Sequence, residues 1–545
     1  MAPGRSCGES LTTSDGVAVT LPRVIREPLG GSPLSSAAQR GELSQWYIPR
    51  PRNVGDWRAY LQRVSQPHDT GAWLANLAPA LGPTGAAKER LDRVVETRGV
   101  VISTGQQAAL FGGPLYTLVK ALAALALADV LQRETGISTV PVFWAATDDA
   151  DFEEASSASI AVVGGVRTLR LASPSHAGVA MNDLPMPSVE QLVDELGEAC
   201  GSTIEPQALD LVRECYRSTA TLGAAYVTHL RGLLAPLGIA VLDASHPGVR
   251  NAAEPVLLRA LESAAQVERA LRQRFDAIRA AGHTPQVDHV PELSLVFAGG
   301  AGQEKRRVPV REAATTAARR PAEVLSANVL LRPIVERFIM PSAAYVAGPG
   351  ELAYFAQVGA VAAALDLPTP LAMPRWSVTI LEPRIERLLN QLGASPDDLR
   401  DPHQIETRLA RESVPEEVSD SLRRLRHDLE SDVAALEVSD GDELIPPASL
   451  QGLRRSLLHR VERTERRYLA AMKRRETKLM RDVGTAAAAL YPGGKRQERV
   501  LNFVPFLARY GQSLLDLMRR EAESHATAQV GATVSATATP VAERV

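Results

Sequence analysis

The stretch VPVFWAATDDADFEEA, Val140 to Ala155, sets five carboxylates, Asp148, Asp149, Asp151, Glu153 and Glu154, within seven positions directly after an apolar, β-branched run. Carboxylates where a strand gives way to a helix can hold a magnesium ion or a substrate amine. The same residues also suit a helix start, because acidic side chains cap free N–H groups and meet the positive end of the helix dipole. Composition within the stretch does not choose between the two.

Three further stretches carry side chains or turns suited to binding. In STGQQAALFGGPLYTLVKALAALALA, a strand ends at Thr104-Gly105, a loop carries Gln106 and Gln107 to Gly112-Gly113, and a helix begins near Pro114 and continues through Tyr116 and Lys120. Free N–H groups at such a start, with glycines allowing close approach, can hold a phosphate or carboxylate. The spacing is neither a Walker loop nor a G-x-G-x-x-G fingerprint, and a turn that only packs helix on strand explains it equally well. In AGPGELAYFAQV, Gly348-Pro349-Gly350 makes a second strand-to-helix turn, followed by Glu351 and Tyr354. A dipole-satisfying glutamate accounts for that pattern, but Arg332 upstream and Arg375 downstream add two cations able to bind a carboxylate or phosphate in bidentate fashion. Finally, VLDASHP places Asp243 and His246 at another strand end, where a lone histidine before proline has mainly a structural role.

These stretches need a scaffold that brings strand ends together. From Trp46 to about Ile380, short β-like runs at 99–104, 139–146, 239–245, 342–348 and 370–375 alternate with longer helical ones. This is the pattern of an α/β fold with a mainly parallel sheet, whose ligands bind at the carboxyl ends of the strands. The expected core spans 45–380, with mostly helical insertions that include some strand near 165–235 and 250–330. Residues 1–44 and 524–545 are rich in small residues and expected to lack fixed structure. Over 381–490, Val418, Leu422, Leu425, Leu429, Val433 and Leu436 form a coiled-coil seam. Gly441, Pro446 and Pro447 break it, and a second seam follows from Leu450 to Val483, which predicts an antiparallel helical hairpin. Residues 491–523 are expected to return to the core. The second arm is strongly basic and reads as a solvated or ion-pairing face, since no aromatics interleave with its arginines as single-stranded nucleic acid would require.

Composition narrows the class. The 545 residues carry 60 basic and 63 acidic side chains, so no charge excess points to nucleic acid or a membrane. The apolar stretch YTLVKALAALALADVL, interrupted by Lys120 and Asp129, is read as too short to span a bilayer. No apolar leader stands at the N-terminus, and three cysteines without ligand spacing suggest a reducing compartment and no Cys/His metal site. A cytoplasmic protein is expected.

Read in order, TGQQAALFGGPLYTLVKA, PVFWAATDDADFEEA, GIAVLDASHP, SANVLLRPIVERFIMPSAAYVAGPGELAYFAQV, MPRWSVTILEPRI and QERVLNF resemble the bacillithiol-biosynthesis cysteine-adding enzymes, the BshC family, over residues 99–510. The resemblance implies a Rossmann-like core similar to nucleotidyltransferases and class I synthetases, plus a coiled coil that mediates homodimerisation. It also implies a ligase that joins L-cysteine to glucosaminyl-malate. Amide formation in water is uphill, so the cysteine carboxylate needs activation, for which ATP and Mg²⁺ are the expected partners. On this basis Asp148, Asp149 and Asp151 are assigned as catalytic. Thr104, Gly105, Gln106, Gln107, Gly112, Gly113, Tyr116, Lys120, Asp243, Arg332, Gly348, Gly350, Glu351, Tyr354 and Arg375 are assigned to substrate or nucleotide binding, with no protein metal site. One position departs from the family pattern, which commonly reads glutamate-aspartate-histidine-aspartate where this chain has Asp148-Asp149-Ala150-Asp151. An ATP-dependent ligase acting on a different amine, and a non-catalytic coiled-coil dimer with a vestigial core, stay open as alternatives.

Overall fold

A computed structural model describes residues 10–12, 18–68, 71–173, 178–201, 205–216, 221–299, 302–319, 324–439 and 445–531. The chain divides into two compact units. The first comprises residues 1–160, 168–380 and 498–545, and the second residues 161–167 and 381–497.

Eight strands of the first unit matter for function: β1 (Val100–Gln107), β2 (Thr139–Ala146), β3 (Ala240–Asp243), β4 (Leu293–Gly299), β5 (Arg306–Pro309), β6 (Val324–Ala327), β7 (Ser342–Ala347) and β8 (Ala372–Pro374). Five of them form one sheet in the order β8-β7-β1-β2-β3, and every neighbouring pair is parallel. Runs such as Val100–Ile102 and Val140–Phe143 are buried, as strands covered on both faces must be. From β1 the chain steps outward through β2 to β3, and β7 then adds on the opposite side of β1. The strand order therefore reverses between β1 and β7, where a parallel sheet opens a crevice at its carboxyl edge. The other three strands form an antiparallel sheet in the order β5-β4-β6.

The helices used below are α1 (Leu115–Thr135), α2 (Pro247–Glu262), α3 (Ala264–Ala280), α4 (Arg332–Ile339), α5 (Pro349–Ala364), α6 (Glu416–Ser439), α7 (Pro447–Arg475) and α8 (Val504–Val530). Helix α1 packs on β1, β2 and α8, and is apolar nearly all round because it is buried nearly all round. It is the one described helix long and apolar enough to cross a membrane, so shortness is not what distinguishes it; 83% of its most apolar window lies inside the protein.

Several sequence expectations need correction. Within 1–44, Pro33–Arg40 is a helix capped by the Ser32 hydroxyl, and Leu34 on it is fully buried. Its small residues reflect close packing against α5 rather than lack of structure. At the other end, α8 runs on to Val530 with Ala526 and Val530 buried, while 532–545 lie outside the described residues. Strand β1 continues three residues past Thr104, because its ladder to β2 persists to the pair Gln107↔Ala146.

In the second unit, α6 and α7 pair as an antiparallel hairpin: Arg426 meets Glu465 at 3.1 Å and Arg454 meets Glu430 at 4.0 Å, so partners on α7 descend as α6 ascends. Gly441, in the expected turn, lies outside the described residues. The second arm is not one helix, since it breaks at Glu476, and Leu479 and Val483 fall on the following helix Thr477–Leu490.

Candidate functional site

All five parallel strands deliver residues to one cavity of about 820 Å³. Gly105, Gln106 and Gln107 come from β1, Asp148, Asp149 and Ala150 follow β2, Ala244 and Ser245 follow β3, Gly348 and Gly350 follow β7, and Arg375 follows β8. The volume falls within the range of small-molecule sites, roughly 300–1,000 Å³. Gly105 must be glycine, because a Cβ there would lie 2.6 Å from the Trp144 carbonyl oxygen on β2.

The cavity floor is a buried charge network, with Lys120 and Glu351 among the lining residues. Lys120 reaches up from α1, and its Nζ donates to the Gly105 carbonyl, to Gln106 Oε1 at 3.3 Å and to Glu351 Oε1 at 2.8 Å. Three acceptors for three N–H bonds match an ammonium ion. Burial pulls the Lys120 pKa down, against the opposing pull of Glu351. Burial would raise Glu351, but Lys120 and then Arg332 hold its carboxyl below the usual range. Glu351 also accepts from Tyr345 Oη at 2.5 Å and from its own helix cap, Gly348 N, at 2.7 Å. Its dipole-satisfying role and its place in the network thus coexist. The N-terminus of α5 is consequently filled by a carboxylate of the chain itself.

Arg332 pairs with Glu336 and donates to Tyr354 Oη at 2.9 Å and Tyr345 Oη at 3.3 Å. Arg375, 3% exposed, grips Glu498 through two bonds of 3.0 and 2.7 Å. Neither arginine presents a free fork to a ligand, which corrects the expectation of bidentate capture. A buried guanidinium requires a partner, and each has one within the protein. Both still line the cavity, as do Tyr116 and Tyr354.

The acidic stretch separates residue by residue. The carboxylate of Asp149 accepts from Gln107 Nε2 at 2.7 Å and from Asp151 N at 3.0 Å, so it is fixed at the cavity wall. Asp148 lies 3.7 Å from Lys305 Nζ, which also donates to the Asp148 carbonyl and, at 3.0 Å, to Ser326 Oγ. Asp151 is exposed, is absent from the lining and caps the short helix Phe152–Ala155 through Glu154 N, so its catalytic assignment gives way to helix capping. Glu154, which received no site assignment from the sequence, also lines the cavity; burial, then Asp151 and Asp149, raise its pKa.

Four other expected residues stand outside the lining. Thr104 is buried and donates to Val346 O at 2.8 Å. Asp243 accepts from Thr147 and, at 2.9 Å, from Ser245 Oγ. Gly112 N meets Tyr216 Oη at 3.0 Å, and Gly113 O accepts from the Asn502 amide at 3.0 Å. The glycine turn therefore packs helix on strand, the plainer of its two explanations. His246 caps α2 through Gly248 N at 3.0 Å, a structural role.

Residues not singled out from sequence complete the wall: Arg250, Phe297, Lys305, Arg307, Ser326, Asn328 and Arg499. Most lie in the 250–330 insertion, expected to be mostly helical with some strand, where the basic run Lys305-Arg306-Arg307 was the available signal. Among the described residues, Arg250 and Arg499 have no ion-pair partner. No three Asp, Glu, His or Cys side chains converge as a metal cage among the described residues. Magnesium commonly binds through one or two carboxylates plus substrate phosphates, and Asp148 and Asp149 fit that more open arrangement.

Comparison with known proteins agrees with this architecture. Residues 37–376 match the family described as "Bacillithiol biosynthesis BshC, N-terminal Rossmann-like domain", and residues 378–530 match its "C-terminal coiled-coil domain". Proteins named "Putative cysteine ligase BshC" are similar along most of their length. The one from Solibacter usitatus is 33% identical, over 81% of this chain and 86% of its own. That from Koribacter versatilis is 30% identical over 80% and 84%, and that from Heliobacterium modesticaldum 30% over 82% and 85%.

Proposed function

Because the chain belongs to the BshC family of bacillithiol biosynthesis, we propose that it is a ligase joining the carboxylate of L-cysteine to the amine of glucosaminyl-malate. The observation that carries this reading is the convergence of five parallel strand ends on one cavity that holds both unpaired cations and fixed carboxylates. Two substrates and an activating group need such mixed chemistry.

ATP with Mg²⁺, when bound, would supply the phosphoryl or adenylyl group that activates the cysteine carboxylate and then departs as phosphate or AMP when the amine attacks, which makes amide formation favourable. The chain's own residues do the rest. Arg250 and Arg499, without an ion-pair partner among the described residues, attract the malate carboxylates. Gln106 and Tyr116, joined at 3.2 Å, offer hydrogen bonds to sugar hydroxyls. Asp149, held by Gln107, faces the amine and accepts its proton as the new C–N bond forms. Lys120 and Glu351 fix the floor on which the reacting groups are aligned.

In the second unit, the seam residues Leu425, Leu436 and Leu453 are 48%, 49% and 42% exposed, more than a finished coiled-coil interior leaves. Their exposure supports a homodimer through the hairpin, and the pathway's thiol chemistry supports a cytoplasmic location.

The test is to incubate purified protein with ATP, Mg²⁺, cysteine and glucosaminyl-malate and to follow products by mass spectrometry. The expected product is the cysteinyl conjugate, formed only with nucleotide present. Absence of any cysteine-containing conjugate across nucleotides and metals would overturn the reading.

A further inference from the structure

The cavity is chemically two-ended. Its strand-end side is polar, whereas the side formed by α2 and the three-stranded sheet is largely apolar. Helix α2 contributes Val249, Ala253 and Leu257, spaced by four and therefore on one face, with exposures of 3, 5 and 2%. Opposite them on β4 stands Phe297, half-buried and without an aromatic partner among the described residues. Across the ladders Phe297 is paired with Arg307 on β5 and with Ser326 on β6, so these three side chains share one face of the sheet, and all three line the cavity.

Cysteine has no flat face to match this wall, and a sugar ring offers only its smaller C–H face. A nucleobase has a flat apolar face, together with a polar edge. Polar groups for that edge are at hand. Asn328 Oδ1 accepts from Leu330 N and Leu331 N at 3.1 and 3.0 Å, which leaves its Nδ2 unbonded among the described residues. Trp144, 4% exposed and also in the lining, has an indole N–H with no acceptor among the described residues.

We infer that the end of the cavity between α2 and the three-stranded sheet receives the planar base of a nucleotide, stacked on Phe297 beside Arg307 and Ser326. The assignment rests on the reading that this cavity uses a nucleoside triphosphate. It orients that ligand: the base lies against the sheet of the 250–330 insertion, and the phosphates point towards the parallel strand ends, past Lys305.

The test is calorimetric titration of the full chain with adenosine, ATP and inorganic tripolyphosphate. It compares wild type with Phe297→Leu, which keeps apolar volume but removes the π face, and with Phe297→Trp, which keeps the π face. The expected result is that Phe297→Leu weakens adenosine and ATP by roughly tenfold, as loss of a base–aromatic stack does, while tripolyphosphate is unaffected and Phe297→Trp retains affinity. Unchanged adenosine and ATP affinity in Phe297→Leu overturns the inference while leaving ATP use intact. An equal loss for tripolyphosphate also overturns it. A wild-type chain that binds neither ATP nor adenosine overturns both this inference and the nucleotide reading.

Discussion

Replacing Glu498 by Gln should destabilise the first unit by an amount set by what its carboxylate holds. Glu498 is 1% exposed and accepts four bonds: from Arg375 Nη1 at 3.0 Å and Nη2 at 2.7 Å, from Ser377 Oγ at 2.8 Å, and from Val378 N at 3.1 Å. Removing the charge leaves the 3%-exposed Arg375 without its counter-ion, and breaking a buried pair from one side costs about 3–5 kcal/mol. Spread over a unit of about four hundred residues that each contribute roughly 2 cal/mol/K of unfolding entropy, this is a fall of about 3–6 °C in melting temperature. Scanning calorimetry on Glu498→Gln, Arg375→Met and the double variant provides the assay. The double variant should recover much of the loss, since two neutral side chains leave no stranded charge. A drop below about 1 °C, or a double variant no better than either single, would refute the claim that the pair is held by mutual charge compensation.

Other outcomes follow from the same structure. His229 is buried with its pKa lowered by burial to about 4, so the unfolded chain takes up protons first on acidification. Stability is full above the ordinary histidine range and falls as pH drops from about 6.5 towards 4; melting temperatures of His229→Phe should be flatter across that window. Asp149→Asn should abolish conjugate formation in the mass-spectrometric assay, with its melting temperature nearly unchanged because an amide can keep the hydrogen bond to Asp151 N. Asp151→Ala should retain activity and lose about 1 kcal/mol or less, the scale of one helix cap, as read from the shift of a denaturation midpoint.

The parallel core was legible because each of its strands is a short apolar run ended by a turn, and burial on both faces demands that composition. The strand ends marked a shared site for the same reason: one topology brings them all to one edge. What sequence could not reveal was commitment. Arg332 and Arg375 look like ligand-binding cations until Glu336 and Glu498, the latter 123 residues after Arg375, are seen to occupy them. Conversely Phe297, Lys305 and Arg307 sit in a segment whose short antiparallel strands were obscured by neighbouring helices, so no periodic signal pointed to them. Gly112 and Gly113 misled because a glycine turn before a helix has the same composition whether it cradles an anion or, as here, is pinned by Asn502.

Asn502 and Glu498 have a consequence for the order in which the protein is made. The Asn502 amide bonds Phe111 O and Gly113 O, residues some 390 positions earlier, and Glu498 completes the surroundings of Arg375. On the ribosome, every strand of the parallel sheet emerges before either residue exists. The counter-ion of Arg375 and the tie on the glycine loop are thus both supplied by a segment made after every strand that surrounds the cavity, and contacts that distant in sequence close slowly. The finished wall of the pocket therefore depends on the C-terminal segment as much as on the sheet itself.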